Sequence, residues 1–199
     1  MVSFCDIKIS QLKDHIEKYG YYGIGLSKKW AFEKGLNPAI YLNDRSHFPE
    51  AFIENILSNN NTSDKKEIDR NYALLDAFRY MKNYEGRLER KGELNENYCF
   101  AEEREWRYVP KMNPDKFEDF ISEDELDENN TKEVNDHRLS DERLYFNPDQ
   151  ILYLIVKEES EIEEFINHIR DVKSEKYSHR DVERLMTRII SCERILNDF

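Results

Sequence analysis

The chain predicts an α+β fold, with one mixed sheet flanked by helices in a single domain spanning residues 1–199. Three observations point there. Between residues 2 and 42, short strand-like runs alternate with helix-like runs, each punctuated by Gly or Ser. ILYLIV, residues 151–156, is an unbroken apolar run of buried-strand length. Amphipathic helical periodicity then fills the chain to its C-terminus, and no internal repeat or low-complexity linker divides it.

The elements follow in order. VSFCDIKI (2–9) alternates Val2, Phe4 and Asp6 against Ser3, Cys5 and Ile7, as a strand does. SQLKDHIEKYG reads as a helix capped by Ser10 and ended by Gly20, with Leu12, Ile16 and Tyr19 on its apolar face and His15 beside them. YYGIGL is a second strand, in which Gly23 and Gly25 permit close backbone approach. Ser27 caps a further helix, SKKWAFEKG, closed by Gly35, and NPAIYL is a third strand. FPEAFIENILSNN is a helix with Pro49 in its first turn. After the loop NNNTSD, residues 65–92 are expected to be mostly one long helix, with Ile68, Tyr72, Leu75 and Phe78 as its buried stripe.

A strand, YCFAEEREWRYV (98–109), comes next, and residues 112–143 are read as an acidic, flexible excursion. Beyond ILYLIV, SEIEEFINHIRDV and HRDVERLMTRIISCERILNDF are two amphipathic helices. Leu185, Ile189, Ile190 and Leu196 of the last are expected to dock on the domain's own sheet, with a homodimer stripe as the other use.

Composition bounds the function. The formal net charge is −12, with 36% charged residues, which argues against an unaided nucleic-acid-binding module, because Lys and Arg supply most non-specific affinity for phosphates. The same charge suits docking onto a basic partner. Cys5, Cys99 and Cys192 are odd in number and far apart, so neither a disulfide framework nor a zinc ribbon is expected. No apolar run reaches membrane-spanning length and no signal-peptide pattern opens the chain, so a cytosolic protein is expected.

GxGxxG, GxxxxGK[ST], HExxH and GxSxG are all missing. The glycines of YYGIGLSKKW resemble a phosphate loop only superficially, and sheet packing explains them better. Cys5 with His15 could form a thiolate–imidazole pair, but a Cys beside Val and Phe reads as a small core residue. His137, His168 and His179 have no ligand spacing, and no metal is expected.

AEEREWRYVP, residues 101–110, carries the best candidate chemistry. In a strand Glu103, Glu105 and Arg107 share one face, and Arg104, Trp106 and Tyr108 share the other. Two carboxylates at i and i+2 perturb each other's proton affinity and could stabilise a cationic transition state, as in glycosyl transfer. The competing reading is a surface network in which Arg104 and Arg107 pair with acidic neighbours, and composition alone favours it.

MVSFCDIKISQLKDHIEKYGYYGIGLSKKWAFEKGLNPAIYL, followed by EEREWRYVP, RLYFNPDQILYLIV and MTRIISCERILNDF, resembles the AbiGi family of abortive-infection phage-resistance proteins over nearly the whole chain. The resemblance implies an antitoxin-like component of a two-gene bacterial or prophage locus, whose partner is a nucleotidyltransferase-like toxin. Family members are expected to carry an upstream strand with a His-Phe-Thr-like motif, whereas this sequence starts directly with MVSFCDI. The strand order and the late Glu-x-Glu are also similar to ADP-ribosyltransferase-like folds. That likeness implies NAD as cofactor, Glu105 as catalytic glutamate and Glu103 as its acceptor-orienting companion. Ser3 and Tyr22 would then line the nicotinamide pocket and Arg107 would join them in binding the cofactor, while the first-strand histidine of such folds has no counterpart here.

Overall fold

The structure, a computed structural model, describes residues 1–58, 65–90, 92–110 and 143–198. The fold is α+β, but among the described residues the strands form four small sheets rather than one mixed sheet. The strands are β1 (Val2–Cys5), β2 (Gly23–Leu26), β3 (Asn37–Pro38), β4 (Ile40–Leu42), β5 (Met81–Asn83), β6 (Glu85–Arg90), β7 (Glu93–Cys99), β8 (Glu105–Tyr108), β9 (Ile151–Val156) and β10 (Ile189–Ser191). The helices are α1 (Lys13–Tyr19), α2 (Lys28–Glu33), α3 (His47–Ser58), α4 (Lys65–Phe78), α5 (Ile162–Lys173), α6 (His179–Met186) and α7 (Cys192–Asp198).

One three-stranded sheet runs β1-β8-β3, with β8 antiparallel to both neighbours. A second runs β10-β9-β2, with β9 parallel to β10 and antiparallel to β2. β4 pairs in parallel with β5, and β6 with β7 forms a hairpin turning at Gly92, whose φ of 80° suits glycine.

β9 is the centre of the core. Ile151 and Leu154 pack with Ile169 of α5 and with Val182 and Leu185 of α6. Ile155 lies against the cluster of Ile16, Cys192 and Ile195 contributed by α1 and α7. The sheet is thus covered by helices on both sides, although Leu152 and Tyr153 remain 44% and 42% exposed, contrary to a fully buried run. Trp30 of α2, only 1% exposed, packs edge-on to Phe4 and Phe146 and donates its indole N–H to the Tyr145 carbonyl at 3.1 Å. The Ser27 hydroxyl accepts from the Trp30 amide, so the predicted cap of α2 is present.

Several expectations are corrected by long-range pairing. The first strand stops at Cys5, and a single 3-10 turn over Ile9–Gln11 precedes α1, so Ser10 does not cap it. The third strand divides at Ala39, whose N–H donates to the Glu105 carbonyl, and its halves enter different sheets. The long helix ends at Phe78, because Met81–Asn83 pairs with Ile40–Leu42 and the rest becomes a hairpin. Here ladder bonds to distant strands outweigh a weak local propensity. Leu75 is half-buried and Phe78 exposed, while the side chains of Ile68 and Tyr72 lie outside the described residues.

The last helix is likewise interrupted. Ile189–Ser191, rich in β-branched residues, adds to β9 as β10, so Ile189 and Ile190 sit in the domain's own sheet and Leu185 in its core. The loop 59–64 and almost all of the acidic segment 112–143 fall outside the described residues.

Candidate functional site

The charged stretch around residue 103 is not one strand. β7 ends at Cys99, Phe100–Glu103 makes a 3-10 turn, and Arg104 adopts a left-handed conformation at φ 46° before β8 starts. The Arg104 carbonyl accepts from the Asp6 amide at 3.1 Å and ties the kink to the end of β1. Glu103 therefore lies off the strand that carries Glu105 and Arg107. The kink still brings both carboxylates to one ammonium group.

That group is Lys82 of β5. Its Nζ donates to Glu103 Oε2 at 2.8 Å and to Glu105 Oε2 at 2.6 Å. Glu103 Oε1 accepts from the Tyr98 hydroxyl at 3.1 Å and from the Tyr19 hydroxyl. Glu105 Oε1 accepts from Ser3 Oγ at 2.6 Å and from Arg107 Nε at 2.7 Å. Arg107 Nη1 also donates to the carbonyls of Arg79 and Met81, at 2.6 and 2.9 Å, clamping the turn between α4 and β5. The Tyr41 hydroxyl accepts from the Glu105 amide at 2.8 Å.

Glu103, Glu105 and Arg107 are 4%, 5% and 8% exposed. The cluster is therefore a buried network, and the surface ion-pair reading is set aside. The Glu105 and Arg107 side of β8 faces the cleft. Glu105 and Arg107 are buried, while Trp106 and Tyr108 are half-buried, with Trp106 edge-on to Phe32.

Burial opposes ionisation of Glu105, but the donors from Arg107, Lys82 and Ser3 outweigh it and hold the acid down to about 2. Glu103 is lowered too: burial is overcome by hydrogen bonds from Lys82, Tyr19 and Tyr98. Lys82 is raised, its burial outweighed by the two carboxylates. Tyr19 and Tyr98 are pushed up, first by burial and then by Glu103. Each carboxylate takes three side-chain donors, most of its lone-pair capacity.

These groups form one wall of a cleft of about 820 Å³. Cys5 and His15 also line it. The Cys5 thiol is pushed up to about 11, by desolvation first and then by Glu103 and Glu105, the opposite of an activated nucleophile. His15 stacks on Tyr19 with ring centroids 4.3 Å apart, and the Arg90 guanidinium lies 3.9 Å from the Tyr19 ring centre. Among the described residues, no group of three or more His, Cys, Asp or Glu side chains is placed to hold a metal.

Of the residues singled out from sequence, Ser3, Glu103, Glu105 and Arg107 come together. Tyr22 lines the same cleft but makes no bond to the cluster. It precedes β2, is 68% exposed, and donates to Glu161 at 2.8 Å. Lys82, Tyr19, Tyr41 and Tyr98 escape sequence reasoning because no spacing links them to Glu103 and Glu105. The aromatic run around Lys82, RYMKNYEG, is the local signal that its helix could end early.

Fold and site together define an α+β protein built around an internally neutralised ion cluster beneath an open cleft. The chain belongs to the AbiGi family: the family model described as "Putative abortive phage resistance protein AbiGi, antitoxin" matches residues 1–157. It is 27% identical over 222 aligned positions to abortive phage resistance protein AbiGi of Lactococcus lactis subsp. cremoris, covering all of this chain and 88% of that relative. No solved structure is a significant match, so no likeness to a known ADP-ribosyltransferase structure supports that part of the fold expectation.

Proposed function

We propose that this chain is the antitoxin component of an abortive-infection pair and restrains a nucleotidyltransferase-like toxin by binding it. The observation that carries this reading is the family match over residues 1–157, with its antitoxin description. The chemistry of the cleft is compatible with it. Glu105 and Glu103 spend their charge on Lys82, Arg107 and three hydroxyls, which holds the β5, β7 and β8 segments in place. The net charge of −12 favours capture of a basic, nucleotide-handling partner. This reading includes action in the cytoplasm.

The test is growth of bacteria expressing the neighbouring gene, with and without this chain. Rescue of poisoned cells supports the antitoxin reading, and absence of rescue by the folded chain overturns it.

A second reading, an ADP-ribosyltransferase-like enzyme using NAD, draws on one feature. Ser3 and Glu105 are hydrogen-bonded at 2.6 Å on the wall of a cleft of ligand-binding size. Against it, a carboxylate already bonded to an arginine and a lysine has little charge left for an oxocarbenium-like transition state. Glu105→Gln separates the two readings: an enzyme loses NAD turnover, whereas an antitoxin retains rescue so long as the variant is folded. Full NAD turnover by Glu105→Gln removes the catalytic assignment.

A further inference from the structure

The cleft beside the ion cluster is lined by residues 3–9 on one side and 22–28 on the other, without a gap in either run. Consecutive residues of a strand point to opposite faces, so a cleft against a sheet face meets every second residue. Within those runs the cleft meets Ser3, Phe4 and Cys5 of β1 and all four residues of β2 in succession, so it runs along the strand edges. β1 and β2 are both edge strands, each paired on one side only among the described residues. The cleft is therefore a slot between two edges whose outer main-chain donors and acceptors take no strand partner among the described residues.

The faces on either side of the slot match. Ser3 of β1 points to the Glu105 cluster, the side on which α1 supplies His15 and Tyr19. Gly23 and Gly25 of β2 lie beside Ile155 and Tyr153, and Ile155 packs against the α1 and α7 cluster. On the opposite face Phe4 packs on Trp30, and Leu26 joins the core under α5 and α6. Exposed apolar side chains gather along the slot, with Ile24 53% exposed beside Leu152 and Tyr153.

We propose that an extended segment of the partner toxin enters this slot, pairs with β1 and β2, and joins the two three-stranded sheets. This deepens the antitoxin reading and rests on it. Backbone pairing supplies the affinity, as in other cases of strand addition. The occupant alternates apolar residues toward Phe4 and Trp30 with hydroxyl or small polar residues toward Glu105 and Lys82. Charge fixes its flank. Glu161 and Glu164 lie with Tyr22, Gly23 and Ile24 around a pocket at the start of β2, while Glu158 and Glu159 are paired with Lys157 and Arg194, so Glu161 and Glu164 favour Lys or Arg at that end of the segment.

The experiment is hydrogen–deuterium exchange on the full chain, alone and in complex with the product of the neighbouring gene, together with alkylation of Cys5 on the slot wall. Complex formation is expected to slow exchange of amides in both β1 and β2 by about tenfold or more and to shield Cys5. Rescue of poisoned cells and a stable complex, with β1, β2 and Cys5 unchanged, overturn the slot proposal while leaving the antitoxin reading intact. Neither rescue nor complex overturns both. Protection in the chain alone overturns the partner assignment: if it rises with concentration the occupant is a second copy, and if it does not the slot is filled from within.

Discussion

Glu105 owes its low proton affinity to Arg107, Lys82 and Ser3 acting against the cost of burial, and this has a consequence for stability. Its affinity falls from that of an ordinary glutamate, 4.5, to about 2 on folding. The folded state therefore gains stability wherever the unfolded chain's Glu105 is already ionised, above about 4.5, and loses it as pH falls towards 2. The full contribution at neutral pH is roughly 3 kcal/mol. Urea unfolding followed between pH 5 and pH 2 is expected to show this loss in the native chain, with a shallower slope in Glu105→Gln. At pH 7 that variant is expected to be less stable by about 2–4 kcal/mol, because Lys82 and Arg107 lose their shared carboxylate. Tyr19→Phe removes one of three donors to Glu103 and is expected to cost about 1–2 kcal/mol in the same assay. Glu103 and Glu105 were visible as a pair in the sequence. The lysine between them was not, because Lys82 reaches them only through the pairing of β5 with β4.

At the scale of elements, β2 and β9 set the packing of the second sheet. A Cβ on Gly25 would lie 3.0 Å from Tyr153 Cδ2 and 3.2 Å from its Cβ, whereas one on Gly23 would meet Ile155 at an ordinary 3.5 Å. Gly25→Ala is therefore expected to destabilise by about 1–3 kcal/mol in thermal or urea unfolding. Gly23→Ala is expected to be near neutral, and an equal loss in both variants would contradict this packing. The glycines of YYGIGL thus serve sheet packing, as their sequence context indicated. The predicted strands that match best, YYGIGL and ILYLIV, are those whose hydrophobicity and punctuation agree with their long-range pairing. Residues 65–92 and 179–199 misled because three-residue strands such as β5 and β10 are too short to show a period of two against a helical background.

For the molecule as a whole, the proposed antitoxin role assigns the net charge of −12 to capture of the partner. If the antitoxin reading holds, raising salt from about 50 to 500 mM is expected to slow association with the toxin by tenfold or more and to change dissociation far less. Stopped-flow or surface-based kinetics would read this directly. A rate indifferent to salt would show that the net charge of −12 plays no part in capture. Among the described residues β1 and β2 are edges of the two three-stranded sheets, and the hydrophobic core belongs chiefly to the β9 sheet. The ion cluster holds the other sheet to β5 through Lys82 and Arg107.

The amino-acid sequence by itself determined the α+β class, the central strand ILYLIV, the cap of α2, and the likeness to the AbiGi family, since each depends on a local pattern or on extended similarity. Tertiary structure alone decided that Glu103 and Glu105 are buried and neutralised, that Tyr22 bonds to Glu161 rather than to them, and that the strands divide into separate sheets with a cleft lined by both β1 and β2. The reason is physical. Burial and ion pairing are set by which distant segments meet, and a lysine in one sheet can join a carboxylate of another sheet and one of the turn before it without leaving any periodic trace along the chain.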